Sequence, residues 1–291
     1  MIRKFIYILF ISVATLFTTS CTNPKIVEEK PSIVVSILPL KYFVQQIADT
    51  LYQINVLVPP GSSPEMFEPT PAQMITLDKA KLYFAIGLLD FEKGLEPKLT
   101  NKKKLYVNLS KDVDLITAKS VEEDHHHHHG VDPHIWMSVN GAKIIAQNIT
   151  NELCRINPDN ALLFKNNLQK FLVKADGIKS TIDSILNAGN CNSFLIYHPA
   201  LSYFAREYNL KQLSIEQEGK SPSVKGITQT ISEATNVKAV LSQGQFDTRK
   251  ATTTAKELNL PVIIVDPLSE NWEDSMISIA MAITGKTYER N

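Results

Sequence analysis

Seven histidines stand in this 291-residue chain, and six of them fall in one stretch, EEDHHHHHGVDPH, from Glu122 to His134. His125, His126, His127, His128 and His129 are consecutive and follow the acidic Glu122, Glu123 and Asp124. His134 stands apart, between Asp132-Pro133 and Ile135-Trp136. Imidazole is the commonest metal ligand among side chains. Five in a row beside carboxylates bind zinc, copper or nickel loosely, because a flexible loop holds no single geometry. The run lies mid-chain, has five members and an acidic flank, which argues against an expression tag. The stiffer Asp-Pro-His-Ile-Trp context suits a fixed ligand, so the run reads as a metal collector and His134 as a residue that holds the ion.

Three further residues have matching chemistry. His198 follows the apolar run FLIY (194–197) in YHPAL, and Asp266 follows VIIV (262–265) in VDPL. Glu65 lies in VPPGSSPEMFEPTP, a loop stiffened by five prolines. Each has a plain structural alternative. His198 could be a hydrogen-bonded structural residue, Asp266 the N-cap of the next helix, and Glu65 a surface carboxylate, while His134 could cap a helix or face solvent. Their shared position raises them above these alternatives, because ligands of open α/β sheets bind beyond the carboxyl ends of strands. Two imidazoles and two carboxylates suit tetrahedral zinc and, through the oxygens, also manganese.

The elements that must position these residues alternate. In the first half, strands are predicted over 33–37, 54–58, 82–86 and 105–109, with helices over 40–51, 71–79 and 138–154. In the second half, strands fall at 194–197, 212–215, 239–242 and 262–265, with helices over 200–208, 224–235, 248–258 and 270–283. Such alternation predicts an α/β fold of mostly parallel sheets covered by helices. Between the halves, apolar residues at helical spacing run through 159–188. The expected organisation is two lobes, 32–157 and 190–291, joined by one long rigid helix over 158–189. A helix of that length spans about 42 Å. A disulfide needs Cα atoms within about 7 Å, so Cys154 and Cys191 are expected to stay unpaired.

The N-terminus reads as a signal peptide over 1–20. Arg3 and Lys4 precede an apolar run, Phe5 to Phe17, that is too short to span a membrane. Thr18-Thr19-Ser20-Cys21 resembles a lipobox with Cys21 as the acylated residue, although Thr18 stands where leucine is usual. Residues 21–31 form a polar tether. The chain is then exported, periplasmic or at the cell surface, and anchored to a membrane by lipid. Lys+Arg and Asp+Glu balance at 30 each, and no basic face points to nucleic acid. A metal-dependent hydrolase, with Glu68 or Glu216 as general base, is the competing class. No HExxH motif exists and the candidate ligands are spread along the chain, so no enzymatic activity is expected.

Taken in order, the lipidated leader, PGSSPEMFEPTP, the histidine loop, DPHIWM, HPALSYFAREYNL, EQEGKSPS and VDPL resemble the metal-binding subunits of bacterial ABC importers for zinc and manganese, the ZnuA/TroA type. The resemblance covers essentially the whole mature chain. It implies two α/β lobes on one rigid helix, metal in the cleft between them, and delivery to an ABC permease by a monomer. It carries His134, His198 and Asp266 over as ligands. The first loop departs from the family's PHxxEP, because Glu65 stands where histidine is usual. That substitution hardens the site toward manganese or iron, whereas the histidine loop accompanies zinc members; Zn(II) is the expected cargo and Mn(II) the alternative. A role in cell adhesion stays open.

Overall fold

The computed structural model describes residues 30–101, 105–117, 130–216, 232, 236–246 and 248–289. The expected signal peptide, Cys21, the histidine run and the helix expected over 224–235 lie outside the described residues. From Pro31 onward the chain forms one compact unit.

Two parallel sheets organise it. The first comprises β1 (Ser32–Val35), β2 (Gln53–Val56), β3 (Leu82–Ala85) and β4 (Leu105–Asn108) in the order β2-β1-β3-β4. The second comprises β5 (Ser193–Ile196), β6 (Lys211–Ser214), β7 (Val240–Gln243) and β8 (Val262–Val265) in the order β6-β5-β7-β8. Strands β3, β5 and β7 are buried throughout, as parallel strands covered on both faces must be. Helices α1 (Leu38–Ala48), α2 (Pro71–Lys79) and α3 (Asp90–Asn101) belong to the first half; α6 (Ser202–Glu207), α7 (Thr248–Leu258) and α8 (Trp272–Ile283) belong to the second.

Between the sheets run α4 (Val139–Ile156) and α5 (Ala161–Gly189). The latter is the predicted connecting helix, unbroken over 29 residues. It buries Phe164, Leu168, Phe171, Ala175, Ile178, Ile182 and Leu186, a stripe of four- and three-residue steps that keeps one face inward. That face packs on α4, α8 and α1. Asn190 ends the helix in the left-handed conformation, φ 48°, which asparagine tolerates at such a cap. Cys154 and Cys191, at its two ends, are free.

Helix α3 escaped the sequence reading, because Gly94 and Pro97 lie inside it and both disfavour helix. Burial of Leu95 and Leu99 offsets that cost. So does Glu92, whose buried carboxylate accepts the N–H groups of Ile86, Gly87, Leu88 and Leu89 at 2.7–3.1 Å and the hydroxyl of Ser36. Those amides would otherwise be orphans at the helix start.

Two tryptophans tie the halves together. The indole of Trp136, just before α4, donates to Pro267 O at 2.9 Å, and the indole of Trp272, in α8, donates to Trp136 O at 2.7 Å. Both rings are buried, with Trp272 packed edge-on against Phe43 and tilted against Phe171. A second seam runs through Tyr203, which donates to Asp132 O and accepts from Ile116 N. Glu207 completes it by accepting from Val139 N and Asn140 N, a carboxylate at the positive end of α4. Gly141 allows α4 to start beneath this turn, since a Cβ there would lie 2.0 Å from Ile135 O. These bonds hold the His134 turn against the segment that follows β8.

Trp136→Phe keeps an aromatic ring but leaves Pro267 O buried without its donor, which costs about 1–3 kcal/mol, and the smaller ring adds a cavity cost. For a protein of this size each kcal/mol lowers Tm by roughly 2–4 °C. Calorimetry should therefore show a loss of several degrees; an unchanged Tm would mean that the indole bond does not join the halves.

Candidate metal site

Strand register decides which residues meet. In the second sheet Ile196 lies opposite both Ser214 and Leu241. Two residues further on, His198 is flanked by Glu216 on one side and Gln243 on the other. Here the strand order reverses, between β5 and β7, the position at which open α/β sheets bind ligands. The Nδ1 of His198 is 2.8 Å from Glu216 Oε2, and Gln243 brackets the His198 backbone, donating to its carbonyl at 2.7 Å and accepting from its amide at 3.3 Å.

His134 is held from its own turn. Asp132 Oδ1 accepts from the His134 amide and lies 2.9 Å from its Nδ1. The proline between them fixes φ and shortens the path that brings the carboxylate back onto the ring. Glu65 comes from the proline-rich loop, in a short 3-10 turn over Pro64–Met66.

Glu65, His134 and His198 converge, with one ligand atom from each within 4.8 Å of the others. Glu65 Oε1 is 3.0 Å from His198 Nε2 and 4.0 Å from His134 Nε2. The ligands of a tetrahedral zinc ion, with bonds near 2.0–2.2 Å, lie about 3.3 Å apart, so shifts below 1 Å would complete the geometry. A carboxylate on each Nδ1 keeps the proton there and aims Nε2 inward, the arrangement that orients imidazole ligands in metal proteins. Trp136, Gln243, Gln245, Phe246, Pro267 and Leu268 help to line the cavity, which measures about 20 Å³. That is room for about one water-sized body, enough for a bare ion.

The electrostatics are strongly coupled. Burial alone would push the pKa of His198 down, but its bonds to Glu216 and Glu65 and their charges push it up to about 9. Burial pushes Glu65 up, but the bond and charge of His198, with the charge of His134, hold it below the usual carboxylate range. Asp132 is buried as well, and His134 holds it below that range. With its pKa at about 9, His198 carries its proton at neutral pH between the two carboxylates.

Of the four predicted ligands the structure gathers three. Asp266 is exposed and is not in the group; its Oδ1 accepts from Gln245 Nε2 at 2.9 Å and from Leu268 N at 3.0 Å. The bond to the amide two residues on is the local Asx habit of strand-end aspartates. The supports of the site, Asp132, Gln243, Gln245 and Phe246, were not picked out as functional from the sequence. Glu216 had been considered only as a hydrolytic base, and its carboxylate is engaged by His198. Glu68, the other such candidate, is exposed and does not line the cavity.

The family model described as zinc-uptake complex component A, periplasmic, matches residues 33–285. A crystal structure of ZnuA superposes with a TM-score of 0.81 at 31% sequence identity, covering 89% of this chain and 99% of that one. The high-affinity zinc uptake system protein ZnuA of Bacillus subtilis is 26% identical over 253 residues, 82% of this chain and 79% of that protein. The manganese ABC transporter substrate-binding lipoprotein scaA of Streptococcus gordonii is 26% identical over 247 residues, 79% of this chain and 78% of that protein. With its two parallel sheets, long connecting helix and cluster of metal-capable side chains, the chain belongs to the periplasmic zinc-uptake component A family, the metal-binding, substrate-binding components of ABC importers.

Proposed function

We propose that this chain captures Zn(II) outside the cytoplasm, tethered to a membrane through Cys21, and hands it to an ABC permease. Glu65, His134 and His198 hold the ion, and Asp266 joins them as the fourth ligand. His125 to His129 raise the local metal concentration and pass ions to this tight site. The observation that carries the reading is the pair of imidazoles, each with its Nδ1 on a buried carboxylate and its Nε2 directed at Glu65. Two nitrogen donors favour a borderline-soft ion over a hard one. The cavity is large enough for a bare ion. Manganese is the second reading, favoured by one specific feature: with Glu65 and Asp266 both coordinating, half the ligand set is carboxylate oxygen.

Competitive titration of the chain from Thr22 onward, with Zn²⁺ and Mn²⁺ against a calibrated chelator, tests the choice. We expect one nanomolar-range zinc site and much weaker manganese binding, with affinity falling tenfold or more (a free-energy loss above about 1.4 kcal/mol) in His134→Ala or His198→Ala. Preference for manganese would overturn the zinc assignment, and unchanged affinity would remove the substituted residue from the site.

Proton linkage gives a second test. The folded-state pKa of His198 is raised to about 9, above the roughly 6.5 of an unfolded histidine. The protonated ring thus stabilises the chelator-treated chain fully below pH ~6.5, and this contribution is lost as pH rises through ~9. Zinc affinity should rise with pH throughout the range below ~9, by up to about tenfold per pH unit from this group, and level off above it. Titration calorimetry in buffers of different ionisation enthalpy at pH 7.5 should register about one proton released per ion. Release of none would mean that His198 is already neutral.

A further inference from the structure

The turn after β7 touches both candidate ligands of the second half. Gln243, buried at the strand end, brackets the His198 backbone. Gln245 donates to Asp266 Oδ1 at 2.9 Å. Phe246 stacks on the His198 ring, with centroids 4.7 Å apart and planes 23° from parallel. The sheet order explains this, since β7 lies between β5, which leads to His198, and β8, which leads to Asp266. Gln243 and Val265 are register partners, so the residues after each strand run side by side. The same turn lines the ion-sized cavity through Gln243, Gln245 and Phe246.

Asp266 Oδ1 carries two hydrogen bonds of different kinds. The one from Leu268 N is local and leaves lone pairs for an ion. The one from Gln245 Nε2 comes from the side chain that lines the cavity, and it turns the carboxylate toward that amide instead of toward Glu65, His134 and His198. An ion taken by Oδ1, or one that draws the carboxylate toward the three gathered ligands, therefore competes with this bond. We propose that Gln245 is an affinity-setting residue: its amide competes with the metal ion for the Asp266 carboxylate, weakening retention and providing a ready partner for that carboxylate when the ion departs. This rests on the reading of Asp266 as the fourth ligand. The pair is exposed, so water competes for it, and its loss is expected to change an equilibrium by roughly two- to tenfold. A carrier that must surrender its cargo benefits from such a competitor, which lowers the barrier to release while leaving Glu65, His134 and His198 in place.

The test is a double-mutant cycle on the chain from Thr22 onward. Zn²⁺ affinity is measured by chelator competition, and release rate by stopped-flow transfer to excess chelator. Gln245→Met keeps length without a donor, and Gln245→Ala serves as a second variant should the first fold poorly. Either should tighten zinc binding roughly two- to tenfold and slow release by a similar factor, and Asp266→Asn should weaken binding by tenfold or more. In the Asp266→Asn background the Gln245 substitutions should have no effect, a non-additivity that a general disturbance of the turn would not produce. If Asp266→Asn weakens binding but the Gln245 variants leave affinity and release unchanged, the proposal is overturned and the ligand reading stands. Equal tightening with and without Asp266 would also overturn it, placing the effect at His198. If Asp266→Asn itself changes nothing, the four-ligand reading fails and the proposal falls with it.

Discussion

His198 lies between the carboxylates of Glu65 and Glu216, and most of the surrounding structure bears on keeping that buried array in balance. Taking ionised groups out of water costs several kcal/mol each unless they are paired. Here two carboxylates share one imidazolium, and a second imidazole is backed by the buried Asp132. The balance is tolerated only if the groups are held in register. The clasp of Trp136 and Trp272, the Tyr203 seam and the long helix α5 provide that rigidity. An arriving divalent ion then finds a site whose negative charge is already assembled and partly neutralised by a proton it can displace.

Rigid scaffolding and an adaptable rim have different consequences for a carrier. His134 and His198 are buried and backed by carboxylates, so they change little on loading. Glu65 is the most exposed of the three gathered groups, and Asp266 sits outside the cluster on an amide partner. The proposed capture and release involve two side chains at the edge of the site, on a frame stiffened by a 29-residue helix and buried indole bonds. Selectivity follows the same division. On the proposed ligand set the fixed nitrogens would favour zinc, while the oxygens at the edge would admit manganese.

Much of this was legible in the sequence. Alternating apolar runs and helical spacing revealed two parallel α/β halves and the helix joining them, and strand-end position singled out His198 and, by its stiff turn, His134. Helix α3 was not legible, because Gly94 and Pro97 mask it locally and the compensating carboxylate, Glu92, acts through backbone amides. The carboxylates behind the histidines were hidden for a different reason. Glu216 meets His198 across strand pairing, and 18 residues of separation become contact only once β5 and β6 are known to pair in that register. Asp132 was visible two residues before His134, but only the folded turn shows it bonding to the ring. Asp266 was picked by the same strand-end rule as His198. The rule correctly located the loop, yet could not foresee that a neighbouring turn would supply a glutamine for its carboxylate.

The central claim is that two imidazoles and carboxylate oxygen from Glu65 hold the ion. X-ray absorption at the zinc edge, on the chain from Thr22 onward loaded with one equivalent, tests it most directly. The account predicts a first shell of two imidazole nitrogens with oxygen making up the remainder, at about 2.0–2.2 Å, reduced to one imidazole in His198→Ala. A sulfur shell near 2.3 Å, or a shell of oxygen alone, would contradict it.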